Sequence, residues 1–351
     1  MKTILLNFIK KRNLKNTTAS LYKSALNDYS NFHSLSLDKL ILEADYEEEQ
    51  GIREKRRKIK NRLENYRNFK IDSGASTGTV KKYYEVIKTF YKHHEIVIPY
   101  IPTVQLKKDY HEKYEDIPKI EHIKKAIEST DSLKEKAIIL FMSSSGTARN
   151  EVINLKVKDF IKASSDYHNN GSVYEILEEL SSQNNVIPLF DLVRIKTDYH
   201  YYTCCSNEAC EMIVNYLKTR KNLSYESFLF DINRNALNRF FLKINKQNNW
   251  GKVSYYSFFR SHALRKFHAT SLEDKSLADA LQGRKRDSIT ESYYKLNPKR
   301  IRERYIEVLD KLTINKPYEK MDKYELLIEE NKNLNSRLNK LEGLLEKIIK
   351  E

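Results

Sequence analysis

Five side chains of this sequence could act together on a phosphodiester bond. His262 and Arg265 stand three positions apart in SHALRKFH, so they share a face if the segment is helical. Arg149 follows the small-residue segment SSSGTA, Lys196 lies between two candidate strands, and Tyr293 is the first of two adjacent tyrosines. Cations can bind and neutralise a phosphate while a phenol oxygen attacks it. The set predicts phosphodiester chemistry without a metal ion.

The order of these residues resembles that of the tyrosine recombinases, or phage integrase family. That family has Arg, Lys, His-x-x-Arg and Tyr in this order, and the segments SGTARNEVINL, HALRKFH and LQGRKRDS are most similar to archaeal, methanogen-type integrases. The resemblance covers roughly residues 115 to 312 by motif, and more loosely the helical segment before them. It rests on four motifs in the correct order.

The resemblance implies a role for each matched residue. Arg149 and Arg265 would grip the non-bridging oxygens of the scissile phosphate, because a guanidinium fork matches phosphate and stays charged. His262 would bind the same phosphate or assist proton transfer, with capping or packing as its alternative. Lys196 would protonate the departing 5' oxygen, and its alternative is a lysine at a solvated turn. Arg194 is the nearest residue that could take the place of Lys196.

Two positions depart from the broad family pattern. G-x-R-x-x-E places the arginine two residues after the glycine, whereas Arg149 follows Gly146 by three, as in the methanogen-type wording. The family usually has His or Trp after the glycine of its last motif, and LQGR places Arg284 there. Because the guanidinium of arginine keeps its proton at any working pH, Arg284 cannot transfer a proton and is expected to stabilise charge.

Position alone selects the nucleophile among 24 tyrosines. Tyr293 follows Arg284 by nine residues, the family's usual interval, and Pro298 follows it by five. Tyr294 is the alternative. A free tyrosine has a pKa of about 10, so the attacking phenol needs nearby cations. His268 lies away from the family position and is expected to pack in the core.

The net charge of +15 points to a polyanionic partner, and double-stranded DNA is the expected one. The charge is spread along the chain rather than along one amphipathic helix, so a membrane surface is not expected. One basic run is expected to contact DNA phosphates, with a solvated helix face as the alternative. Its members are Arg53, Lys55, Arg56, Arg57, Lys58, Lys60 and Arg62.

Several features favour a cytoplasmic protein without a cofactor. The apolar run in MKTILLNFIKKR is too short for a signal peptide, and there is no long apolar span. Cys204, Cys205 and Cys210 are odd in number, and no fourth ligand follows them at metal-site spacing. Reduced, packed cysteines are expected, and no metal or other cofactor is predicted.

Periodicity predicts a mainly α-helical fold with a small β-sheet. Helical spacing of apolar residues occurs in residues 1–98, Pro99 and Pro102 interrupt it, and the catalytic part continues with helices around short strands near VIPLF, LVRIKT and YHYYTCC. We predict four parts. They are a helical core-binding domain that clamps DNA (1–98), a linker (99–118), a tyrosine recombinase catalytic domain (119–315) and a C-terminal amphipathic helix (316–351).

The C-terminal helix carries a heptad pattern typical of a coiled coil, with a helix packed on its own domain as the alternative. One seam is Leu327, Leu334, Leu341 and Ile348, and the companion seam is Tyr324, Asn331, Leu338 and Leu345.

The resemblance implies a site-specific recombinase that forms a covalent 3'-phosphotyrosyl intermediate. Four protomers would act on two DNA sites, and a virus or mobile element is the expected source. Two alternatives stay open at this point: a type IB topoisomerase and a non-catalytic DNA-binding regulator with the same fold.

Overall fold

The structure is a computed structural model that describes residues 2–104, 110–284, 297–315 and 337. The chain divides into two compact units, Met1–His111 and Glu112–Glu351, which are called here the N-terminal and C-terminal units. The four-part division predicted from the sequence stays a prediction. The proposed coiled-coil seam lies outside the described residues.

The N-terminal unit is built from α-helices. They are α1 (Lys2–Lys11), α2 (Asn16–Phe32), α3 (Leu37–Glu49), α4 (Lys58–Asp72) and α5 (Thr77–His93). Serines begin two of them, because Ser36 and Ser76 accept the free amides of Lys39 and Thr79. The helices bury an aromatic core whose rings pack edge to face. Its largest members are Phe8, Tyr29, Tyr66, Phe90 and Tyr91.

The C-terminal unit places helices around two small two-stranded sheets. Its helices are α6 (Ile120–Glu128), α7 (Leu133–Ser145), α8 (Arg149–Val152), α9 (Val157–Ala163), α10 (Val173–Ser181), α11 (Asn207–Lys218), α12 (Arg234–Gln247), α13 (Ser261–Leu272), α14 (Lys275–Leu281) and α15 (Pro298–Glu307). Its strands are β1 (Leu189–Arg194), β2 (Tyr199–Cys204), β3 (Lys252–Val253) and β4 (Tyr256–Ser257). The predicted mainly α fold with a small sheet is confirmed.

Helix α7 is the centre of the C-terminal unit. Every residue from Ala137 to Ser145 is buried, and α11 and α13 pack against the helix. Its buried serines remain hydrogen-bonded, since Ser144 Oγ donates to the Leu140 carbonyl at 2.7 Å and Ser145 Oγ to that of Phe141 at 2.6 Å. A continuous apolar and small-residue run can therefore stay helical in the core.

The β1–β2 hairpin is antiparallel, with Leu189 opposite Cys204 and Arg194 opposite Tyr199. The prediction of separate strands near VIPLF and LVRIKT is wrong, because β1 is one strand that crosses both segments. Asp191 does not interrupt it, since its side chain points outward in the alternating burial of the strand. The β3–β4 hairpin was not predicted. No helix of the described ranges is long and apolar enough to cross a bilayer.

Candidate active site

The site begins where α7 ends, because Gly146 brings this turn against α13. Gly146 has φ +63°, the left-handed conformation that glycine adopts without steric cost. A Cβ at this position would lie 2.5 Å from Nδ1 of His268. His268 is fully buried, and burial, followed by the charge of Arg265, lowers its pKa to about 3. His268 is therefore a neutral packing residue, as the sequence predicted.

Arg265 is held between two backbone carbonyls. Its Nη1 and Nη2 each donate a bond of 2.5 Å, to the carbonyls of Gly146 and Gln282. Its side chain is only 5% exposed. Burial, and then the charges of Arg194 and Arg284, lower its pKa to about 10, so Arg265 is still protonated at neutral pH. The guanidinium of Arg265 is therefore fixed in position and positively charged.

The β1–β2 hairpin is joined to the same turn. Arg194 Nη1 donates to the Gln282 carbonyl at 2.7 Å. Gly283, with φ +57°, lies so close to Tyr201 that an added Cβ would be 2.5 Å from the ring. A carboxylate oxygen of Glu151 accepts the amide of Ile195 at 3.3 Å. The hairpin, α8 and the LQGR segment are therefore fixed around Arg265.

Arg149 lies at the first position of α8, and its guanidinium is directed towards α12. Its Nη1 donates to Oδ1 of Asn238 at 2.8 Å, and Arg234 donates to Asn150 next to it at 3.1 Å. Partial burial, and then the charge of Arg234, lower the pKa of Arg149. Arg149 is therefore oriented by a neutral amide from α12.

The other predicted residues with described positions lie at the rim. His262, in the first turn of α13, is exposed, yet partial desolvation and the charges of Lys266 and Arg260 lower its pKa. Lys196 is exposed in the turn between β1 and β2. Arg284 is exposed and pairs with Asp279 at 3.0 Å. The structure thus groups Arg265, Arg284 and the hairpin, while Tyr293 and Tyr294 lie outside the described residues.

Residues 112–300 match a family model described as the phage integrase family. The match covers more than half of the chain. The chain belongs to the phage integrase family. Its enzyme class is that of the tyrosine-type site-specific recombinases.

Solved recombinase structures share the fold of this integrase-family chain. A structure of the XerH site-specific recombinase bound to difH substrate is 17% identical, with a TM-score of 0.50, and the similarity covers 85% of this chain and 82% of that one. A structure of the Tn1549 transposon integrase with transposon right end DNA is 15% identical, with a TM-score of 0.51, covering 87% and 98%. No curated protein matches significantly.

The structure corrects part of the predicted DNA-contacting run of this integrase-family chain. Arg57 is 3% exposed, pairs with Glu48 at 2.7 Å and donates to the carbonyl of Val97. It is an internal residue and has no surface with which to reach a phosphate. Arg62 is mostly buried in a two-bond pair with Glu43. The prediction is kept for the other five members, of which four are exposed and Lys60 is half-buried: Arg53, Lys55, Arg56, Lys58 and Lys60.

Sequence reasoning missed three residues that hold the arginines or the β1–β2 hairpin of this integrase-family chain in position. Asn238 binds Arg149, Glu151 binds the hairpin, and the carbonyl of Gln282 receives two guanidiniums. Only Glu151 had a signal, since it lies in the first family motif. A backbone acceptor such as that of Gln282 has no signature in side-chain identity.

The cysteines of this integrase-family chain are packing residues. Cys204, Cys205 and Cys210 are buried free thiols, and burial raises the pKa of each. They are therefore unreactive in the folded protein. In the ranges described, no group of His, Cys, Asp and Glu could hold a metal ion.

Proposed function

We propose that this chain cuts and rejoins double-stranded DNA at specific sites through a covalent 3'-phosphotyrosyl intermediate. One observation carries the proposal: a buried, protonated Arg265 is fixed between the carbonyls of Gly146 and Gln282, next to further cations. A preorganised cluster of this kind stabilises the extra charge that a phosphate gains in the transition state.

The proposed roles follow from residue chemistry. Arg149 and Arg265 bind the non-bridging oxygens, and Arg284 adds charge stabilisation. His262, whose pKa is lowered, is neutral at pH 7 and binds the phosphate or passes a proton. Lys196, on the exposed turn of the hairpin, protonates the leaving 5' oxygen.

The nucleophile is Tyr293, with Tyr294 as the alternative. Its phenol oxygen bonds to phosphorus, the phenol proton passes to His262 or to water, and the bond from phosphorus to the 5' oxygen breaks. The 5' oxygen leaves as a hydroxyl after it takes a proton. A 5' hydroxyl of a partner strand then reverses the sequence. Because the phosphotyrosyl bond conserves the energy of the broken bond, the cycle consumes no nucleotide.

The wider assembly is also part of the proposal. The XerH and Tn1549 structures are described as complexes with DNA. We propose that this chain also binds DNA, since its net charge is +15. Residues 1–98 clamp one side of the duplex, and residues 119–315 carry the chemistry. Four protomers of this integrase, which resembles the archaeal methanogen-type integrases, then exchange strands in the cytoplasm and integrate or excise a viral or mobile element.

A covalent trapping assay tests the chemistry. Nicked duplexes from DNA flanking the gene, in EDTA, would be incubated with the wild type, Tyr293→Phe or Tyr294→Phe, and adducts separated by denaturing electrophoresis. Tyr294→Phe is the matched control, since it removes the same hydroxyl one position away. We expect an adduct that only Tyr293→Phe abolishes.

Other outcomes reassign the function. An adduct that survives in Tyr293→Phe and is lost in Tyr294→Phe would move the nucleophile by one residue. Salt-sensitive binding without an adduct from any version would contradict recombination and favour the non-catalytic regulator. Relaxation of a supercoiled circle by a monomer, without strand exchange, would favour a type IB topoisomerase.

A further inference from the structure

We propose that Arg194 is a further catalytic residue, which binds a non-bridging oxygen of the scissile phosphate side by side with Arg265. This inference rests on the proposed function, because it assigns another cation to the same phosphate. It differs from the sequence-based interpretation, in which Arg194 is only a substitute for Lys196 as a proton donor. Since arginine stays protonated at working pH, the role is charge stabilisation.

The first observation is that two guanidiniums converge on one oxygen. Arg265 donates from Nη2 at 2.5 Å and Arg194 from Nη1 at 2.7 Å, both to the Gln282 carbonyl. Because both bonds end on this oxygen, the two nitrogens lie within about 5 Å of each other, a range over which like charges repel. Two cations held this close favour an anion beside them. The buried carboxylate of Glu151 offsets their charge only in part, since it raises the pKa of Arg265 less than burial and the charge of Arg194 lower it.

The second observation is that Arg194 forms no salt bridge within the described part of the unit. There, Arg284 pairs with Asp279, and one oxygen of Glu151 is taken by the amide of Ile195. The guanidinium of Arg194 has only the neutral Gln282 carbonyl as a hydrogen-bond partner in the same ranges. Its influence still reaches the site, since its charge is the largest cause after burial that lowers the pKa of Arg265.

The third observation is that the backbone around Arg194 is fixed. The residue ends β1 opposite Tyr199, and its own carbonyl accepts the amides of Thr197 and Asp198, which closes the turn. Tyr201 on the paired strand packs against Gly283. A guanidinium on a rigid strand end can retain its position as charge develops on the phosphate, so little reorganisation is needed in the transition state.

A structural role is the competing explanation, because Arg194 also ties the hairpin to the LQGR segment. The two roles differ in what they do to the reaction. A structural tie affects the cleavage of any substrate equally, whereas a charge-stabilising arginine matters only when the phosphate carries negative charge. In the cleavage step Arg194 makes and breaks no covalent bond. The phenol oxygen replaces the 5' oxygen on phosphorus, and Arg194 binds the charge that builds up meanwhile.

The test compares two scissile groups in a nicked attachment-site duplex. One duplex has the natural phosphate, and the other has a methylphosphonate, in which a methyl group replaces one non-bridging oxygen and removes the charge. Adduct formation would be timed in single turnover for the wild type, Arg194→Gln and Arg220→Gln. Arg220 is the matched control, because this half-buried arginine also donates to backbone carbonyls, those of Phe228 and Leu229.

We expect Arg194→Gln to slow cleavage of the phosphate by about 100-fold, the usual effect of removing one donor from an oxyanion site. On the methylphosphonate we expect it to remain within a few-fold of the wild type, and Arg220→Gln to match the wild type on both duplexes. Equal slowing by Arg194→Gln on both duplexes, or no slowing, would overturn the proposal. A wild type that forms no adduct would instead refute the proposed function itself.

Arg194→Lys keeps the test decisive if Arg194→Gln does not fold, which circular dichroism would reveal. Lysine keeps the charge but lacks the planar fork. We expect a smaller deficit on the phosphate, about tenfold, that again disappears on the methylphosphonate. An equal deficit on both duplexes, or none on the phosphate, would contradict a catalytic role for the guanidinium.

Discussion

Replacing Gly146 by alanine should destabilise the C-terminal unit more than the same replacement at Gly251. Both glycines have a positive φ, +63° and +68°, so each alanine has left-handed backbone strain of about 1–2 kcal/mol. Only at Gly146 does the new Cβ meet another group, Nδ1 of His268 at 2.5 Å, whereas no atom lies within 4 Å at Gly251. The difference between the variants therefore isolates the steric clash.

The expected difference follows from the packing around the turn. His268 is fully buried against α7, so its ring cannot move aside without displacing core atoms. Overpacking of this kind costs about 1–3 kcal/mol, so we expect Gly146→Ala to lose about 2–5 kcal/mol and Gly251→Ala about 1–2. The turn also supplies a carbonyl to Arg265, so Gly146→Ala should slow DNA cleavage as well.

The assay is urea unfolding followed by tryptophan fluorescence. The chain has one tryptophan, Trp250, which packs on Phe259 in the C-terminal unit, so its emission reports on that unit. Circular dichroism provides a second probe, because the control substitution is adjacent to Trp250. Equal losses of unfolding free energy in Gly146→Ala and Gly251→Ala would refute the clash as the reason for glycine at this turn.

Three further predictions concern other parts of the molecule. Arg57→Met should destabilise the N-terminal unit by about 3–5 kcal/mol, because it leaves the Glu48 carboxylate without its buried partner. Lys58→Met, at an exposed position, should change the stability by less than about 1 kcal/mol. Thermal unfolding of the two variants would show whether they differ. The pKa of His268 is about 3 in the folded state and about 6.5 in the unfolded one, so the unfolded state binds more protons between these values. The free energy of unfolding therefore decreases as the pH is lowered, by about 1.6 kcal/mol from pH 6.5 to pH 5. Urea midpoints of His268→Gln should lack that part of the pH dependence, and an unchanged dependence would contradict a neutral buried imidazole. Asn238→Ala should slow cleavage about tenfold without changing the unfolding midpoint, since it removes the group that orients Arg149; an unaffected rate in single-turnover cleavage would count against that role.

Most of the helices could be predicted from the sequence because their signals are local. The apolar period in TVKKYYEVIKTFYKHH predicts α5, and the helix is present over Thr77–His93. Strand boundaries were less certain, because a short apolar run does not show where a ladder of hydrogen bonds begins. The single strand β1 became evident only from its pairing with β2. Which residues of the two strands face each other depends on the geometry of the turn between them.

The basic run shows how charge pattern and tertiary structure differ in what they determine. Seven cations in ten residues predict a DNA-contacting surface when each is assumed to be exposed. Arg57 instead lies inward, because it precedes α4 in an extended conformation and binds α3 through the Glu48 carboxylate and the Ala44 carbonyl. Sequence alone cannot supply that orientation. A buried arginine is tolerated when a carboxylate pairs with it, and that partner is known only from the tertiary structure.

The sequence by itself determined the family, the helical class and the types of residue that suit phosphoryl transfer, because these depend on residue order and local periodicity. Tertiary structure decided which groups meet. The Gln282 carbonyl joins Arg194 to Arg265, and Asn238 orients Arg149, although these partners lie 17 to 89 residues apart in the chain. Such contacts depend on packing against backbone groups, and a carbonyl is the same in every residue. The arginines were visible in the sequence, but their acceptors were not.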